Sequence, residues 1–98
     1  MTAKKKTSNK KKMTGKFKIV NKLGLHTRPA AKFVKAALLF QSDVTLAKDD
    51  IVANGKSIMG ILMLAAEKGS TVTLTVTGPD EAQAFETLKK IIQNGFDE

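Results

Sequence analysis

One stretch carries residue types and spacing suited to chemistry: Gly24-Leu25-His26-Thr27-Arg28-Pro29-Ala30-Ala31. It holds the only histidine of the 98-residue chain, an arginine two residues later and a proline three residues later. Pro29 suits the first turn of a helix, where its missing N–H costs nothing. A histidine just ahead of that turn faces free backbone N–H groups and the positive end of the helix dipole. Together with the Arg28 charge, they disfavour a further positive charge on the ring and leave a nucleophilic lone pair. The same groups would hold a phosphoryl anion once it is attached. The site therefore reads as one for nucleophilic attack on phosphorus and short-lived retention of the group.

Rival chemistries find little support. The chain has no cysteine and one histidine, so thiolate catalysis is excluded and a zinc site would need several carboxylates around a single imidazole. There is no GxxxxGK[ST] phosphate loop. No serine lies in a nucleophile-elbow context. A chain this short has little room for a substrate pocket, but a phosphoryl carrier needs only a nucleophile and a docking surface.

The elements that must position His26 follow from periodicity. Lys16 to Asn21 alternates and predicts a strand, with Phe17 and Ile19 inward. Gly24 supplies a turn. Ala30, Phe33, Val34, Ala37 and Leu38 recur at helical spacing, predicting a helix that ends between Phe40 and Ser42. Asp43 to Ala47 alternates again with Val44 and Leu46 inward, and Ile51 to Ala53 forms a short strand. These two are too close for a crossover and should pair as an antiparallel hairpin. Ser57 is a good N-cap for an apolar helix that Gly69 would stop. Thr71 to Thr77 places four threonines on one face and Val72, Leu74 and Val76 on the other, a strand pattern. Gly78-Pro79-Asp80-Glu81 opens a last helix with Phe85, Leu88, Ile91 and Ile92 inward, ended by Gly95. The order β-α-β-β-α-β-α with amphipathic strands predicts an α+β fold, an open-faced two-layer sandwich.

Charge is uneven. The formal net charge is +8, and residues 1–13 hold six lysines and no acid, which leaves +2 for residues 14–98. Residues 1–13 are expected to be a disordered tail ahead of a single domain over 14–98. That tail could hold nucleic acid or an anionic surface, a competing function class that the nearly balanced domain does not favour. No run reaches the roughly 20 apolar residues of a membrane span, and the tail has no signal-peptide core, so a cytoplasmic protein is expected.

The motif from Gly24 to Ala30 resembles the phosphorylation site of HPr, the histidine-containing phosphocarrier family of the bacterial phosphotransferase system. The likeness runs from about Lys16 to the C-terminus and includes Asn54-Gly55-Lys56-Ser57 and Gly78-Pro79-Asp80-Glu81. The resemblance implies an antiparallel four-stranded sheet covered on one face by three helices. It implies that Enzyme I, charged by phosphoenolpyruvate, phosphorylates Nδ1 of His26, that Arg28 steadies the group, and that IIA domains of permeases or regulators receive it. It further implies regulatory phosphorylation of Ser57 by an HPr kinase/phosphorylase, and partner docking through Lys35, Ile58, Met59 and Leu62. No metal or organic cofactor is implied, nor a true enzyme activity, and a monomer is expected. Leu23, Leu38-Leu39 and the lysine tail depart from the family pattern. Asn21-Lys22-Leu23-Gly24 and Asn94-Gly95-Phe96-Asp97-Glu98 resemble the nitrogen-branch relatives, which serve regulatory relays.

Overall fold

The computed structural model describes residues 12–98. Four strands form one antiparallel sheet: β1 (Lys12–Lys18), β2 (Asp43–Lys48), β3 (Ile51–Asn54) and β4 (Thr71–Thr77), in the spatial order β1-β4-β2-β3. Three α-helices cover one face: α1 (Thr27–Ala37), α2 (Ile58–Leu62) and α3 (Glu81–Gln93), followed by a 3₁₀ turn at Gly95–Asp97. The α+β open sandwich expected from the element order is the architecture found.

Strand β4 organises the sheet. It pairs with β1 from Lys12↔Thr77 to Lys18↔Thr71 and with β2 from Asp43↔Thr77 to Ala47↔Thr73. Its valines and leucine are fully buried, so its period-2 pattern maps directly onto core and open faces. On the open face, Thr14 and Thr75 hydroxyls meet at 3.0 Å across the β1–β4 pair. Strands β2 and β3 form the expected hairpin, paired from Thr45↔Asn54 to Lys48↔Ile51.

The core lies between the sheet and the helices. Ala30, Phe33, Val34 and Ala37 of α1 meet Val44, Leu46, Val72, Leu74 and Val76 of the sheet, with Ala84, Leu88 and Ile92 of α3. Burying one residue the size of Phe33, which is 0% exposed, contributes about 2–3 kcal/mol. Phe17 and Phe85 pack with ring centroids 6.0 Å apart and join β1 to α3.

Four boundaries differ from the sequence reading. Strand β1 begins at Lys12 rather than Lys16, because Met13, Gly15 and Phe17 keep the alternation going and Met13 pairs with Val76. Lys12 and Met13 therefore belong to the sheet and not to the tail; the rest of the lysine-rich segment, residues 1–11, lies outside the described residues. Ile19 is buried as expected, but beyond the strand end, held by Ile19 N–H to Ser70 O and Gly69 N–H to Ile19 O, both 2.8 Å.

Helix α1 stops at Ala37, and Leu38 is its C-cap at 60% exposure rather than part of the buried stripe. Helix α2 ends at Leu62, seven residues before Gly69, and Ala65 takes a left-handed conformation (φ 50°) in the turns that follow. An all-round apolar segment offers no periodic stripe whose end could be read. Ile91, expected in the α3 stripe, is half-buried at its edge.

Candidate functional site

The loop between β1 and α1 is set by Gly24. Its φ of +70° is open to glycine and strained for other residues, and an added Cβ would collide with the Ala66 carbonyl oxygen. Gly24 N–H donates to Asn21 O at 3.1 Å, and Leu25 N–H donates to Ala66 O at 2.9 Å. The Leu25 side chain is buried, so the loop is pinned to the segment after α2. His26 N–H then donates back to Gly24 O at 3.0 Å. His26 takes extended backbone angles (φ −91°, ψ −170°) at the N-cap of α1, and its side chain makes no capping bond. The ring is thus free to turn away from the helix it precedes.

Where it turns is decided by a residue that sequence reasoning missed. His26 Nε2 lies 3.1 Å from Glu98 Oε1, with the two side chains 38% and 17% exposed. An ionised carboxylate can only accept, so Nε2 carries the proton and, in the neutral ring, Nδ1 carries the lone pair. Glu98 also adds a negative charge opposite the positive helix end and Arg28, which the sequence reading did not include.

Glu98 reaches the ring because the chain reverses after α3. Gly95, Phe96 and Asp97 are all left-handed (φ 64°, 57° and 63°). Phe96 is buried, and Lys32 Nζ pairs with Asp97 Oδ2 at 2.8 Å, which fastens the turn to α1. The Asn94-Gly95 pair followed by an apolar residue was the available sign of this return.

Asn21 completes the site. It is 5% exposed, and its Nδ2 donates to Gly24 O at 2.6 Å and to Glu98 Oε1 at 3.2 Å.

The other expected site residues fall as follows. Arg28 is exposed in the first turn of α1 and lines one groove with His26, Asn21, Leu23, Thr27 and Glu98. Leu23 is 73% exposed on that groove. Lys35 lies one face along α1 and shares a second groove with Arg28, Lys32, Leu39 and Ile91. Ser57 caps α2, its Oγ accepting from Gly60 N–H at 3.0 Å. Ile58 and Met59 are exposed, at 40% and 68%, while Leu62 is half-buried. Met63, at 68%, extends this apolar surface and was not expected there. His26, Arg28 and Glu98 share one groove; Ser57 and the α2 residues form a separate surface.

The sequence profile described as "PTS HPr component phosphorylation site" matches residues 13–94. The chain belongs to the HPr family. It is 48% identical over 82 residues to the phosphocarrier protein HPr of Neisseria meningitidis serogroup A, covering 84% of this chain and 92% of that protein. It is 44% identical over 81 residues to the phosphocarrier protein HPr of Treponema pallidum, covering 83% and 92%. Its fold superposes on the crystal structure of HPr-C-His from Thermoanaerobacter tengcongensis with a TM-score of 0.84 and 42% identity, covering 88% of this chain and 97% of that one. The chain is thus an HPr-type phosphocarrier of the phosphotransferase system. Among the described residues no helix is long and apolar enough to cross a membrane.

Proposed function

We propose that His26 accepts a phosphoryl group on Nδ1 from phosphorylated Enzyme I and passes it to IIA domains of sugar permeases or regulators. The observation that supports this best is the engagement of the other nitrogen. With Nε2–H donating to Glu98, the Nδ1 lone pair is the nucleophile. It attacks phosphorus as the bond from phosphorus to the donor breaks, and the displaced electron pair leaves with the donor. The N–H groups of Thr27 and Arg28 lead α1 and, with the Arg28 guanidinium, supply donors for the phosphoryl oxygens. Onward transfer is the same step with roles reversed, so the group must be held weakly. The chain acts as a covalent carrier rather than a true enzyme, in the cytoplasm and as a monomer.

Partners dock beside this site through Lys35 of α1 and Ile58, Met59 and Leu62 of α2, two helices that pack against each other. Exposed apolar side chains on α2 beside cations on α1 suit a partner surface of apolar contacts ringed by acids. Ser57, at the edge of that surface, is the regulatory site for an HPr kinase/phosphorylase. Because α2 has only five residues, its dipole adds little to a phosphate there. The modification acts chiefly by placing two negative charges beside Ile58 and Met59.

Incubation with Enzyme I and phosphoenolpyruvate should give an acid-labile phosphoprotein. His26→Ala should remove all label and leave the circular dichroism spectrum unchanged; persistent labelling of that variant would overturn the assignment.

A further inference from the structure

We infer that Asn21 is a positioning residue that fixes the tautomer and direction of the His26 ring through Glu98, and that it is kept there against a burial penalty. The inference rests on the reading of His26 as the phosphoryl acceptor. Two observations carry it.

The first is convergence. The two amide protons of Asn21 are both committed, one to Gly24 O at 2.6 Å and the other to Glu98 Oε1 at 3.2 Å. Gly24 O also accepts the backbone N–H of His26, and Glu98 Oε1 also accepts its ring Nε2–H. One side chain therefore grips both acceptors that hold His26, one fixing its main chain and the other its ring. Glu98 sits at the end of three left-handed residues and needs such an anchor to keep its carboxylate in place. With Asn21 present, Oε1 is held from two directions, and the ring finds its acceptor already oriented.

The second is the amide oxygen. Asn21 Oδ1 is buried and has no hydrogen-bond partner among the described residues. An orphaned buried carbonyl destabilises a fold, and an apolar side chain of similar size would avoid the penalty. A Cβ added at Gly95 would lie 3.6 Å from Asn21 Cβ, so little space is left on that side. A residue present only for stability would not leave its acceptor unpaired; the two donors explain why an amide stands here.

The test separates orientation from folding and from transfer. In the unphosphorylated protein, at a pH above the imidazole range, the ring ¹⁵N shifts report the tautomer directly. The wild type should show predominantly the Nε2–H form. Asn21→Ala should shift the ring nitrogens toward a mixed tautomer population and slow phosphoryl acceptance from Enzyme I about tenfold, with little loss of thermal stability. The isosteric Asn21→Asp, which cannot donate when ionised, should do the same. Glu98→Ala, at the surface, should reproduce the ring shifts, and adding Asn21→Ala to it should change them no further. Wild-type ring shifts in both Asn21 variants, or additive shifts in the double variant, would overturn the inference. Failure of the wild type to be labelled at all would instead remove the phosphoryl-acceptor reading, and the tautomer result would stand apart from it.

Discussion

Ser42 and Asp80 are bound to each other twice: Ser42 Oγ donates to Asp80 Oδ1 at 2.5 Å, and Asp80 N–H donates to Ser42 Oγ at 3.2 Å. The Asp80 carboxylate also accepts Gln41 N–H and Ser42 N–H, at 2.9 and 3.0 Å. It stands at the N-cap of α3, yet makes no capping bond to its own helix. The sequence reading took Asp80 as part of the segment that opens the last helix. The structure spends the carboxylate instead on joining the α1–β2 and β4–α3 connections. Gly78 permits the approach, since a Cβ there would lie 2.6 Å from Ser42 Oγ.

This junction makes stability depend on acid. The Ser42 hydroxyl, followed by the Gln41 backbone N–H, lowers the Asp80 carboxyl below its usual value of 3.8. The folded state therefore binds the proton less tightly than the unfolded state. The stabilisation is complete above pH 3.8 and is lost as pH falls through the lower folded value. Urea melts from pH 6 down to pH 2 should show Asp80→Asn less stable than wild type near neutrality, with the gap narrowing in acid. A gap constant with pH would show that the carboxylate charge is not involved.

Gly24→Ala should damage both fold and transfer. A left-handed alanine costs about 1–2 kcal/mol, and its Cβ would press on Ala66 O and on Glu67 Cα at 2.9 Å. A total loss of about 2–4 kcal/mol is expected by chemical denaturation. Relief of the clash moves Leu25 off Ala66 and His26 with it. Phosphoryl acceptance should fall about 10–100-fold in the variant that remains folded.

Ser57→Ala should cost about 1 kcal/mol through loss of the Gly60 N–H cap, lowering the melting temperature by about 4–8 °C. The same variant should take no phosphate from an HPr kinase and ATP, while labelling of His26 by Enzyme I continues. Kinase labelling of Ser57→Ala would show that another hydroxyl is the target.

The elements that could be read from sequence were those with one wet face and one dry face. Thr71 to Thr77 was legible because every second side chain is a threonine. The α1 stripe was legible from Ala30 to Ala37 for the same reason at helical spacing. Legibility failed where apolar residues are not buried. Leu38 and Leu39, 60% and 80% exposed, lengthened the expected α1, and Ile58 to Ala66 hid the end of α2. At the site, His26 and Arg28 were visible as a local motif. Glu98 was not, because it is 72 residues away in sequence and arrives through a turn of three left-handed residues, two of which are not glycine. Asn21 read as the end of the first strand, since nothing local reveals that both of its donors are taken.

The spatial order of the strands has a consequence for synthesis on the ribosome. Strand β4, which lies between β1 and β2, is the last of the four to be made. Until residues 71–77 emerge, β1 has no neighbour to pair with and β2 only its hairpin partner β3. Closure of the sheet therefore waits on contacts of long sequence separation. The loop bearing His26 is pinned to Ala66 and steered by Glu98, so a nascent chain exposes its histidine long before that histidine is aimed. A truncated product would present the motif without that geometry.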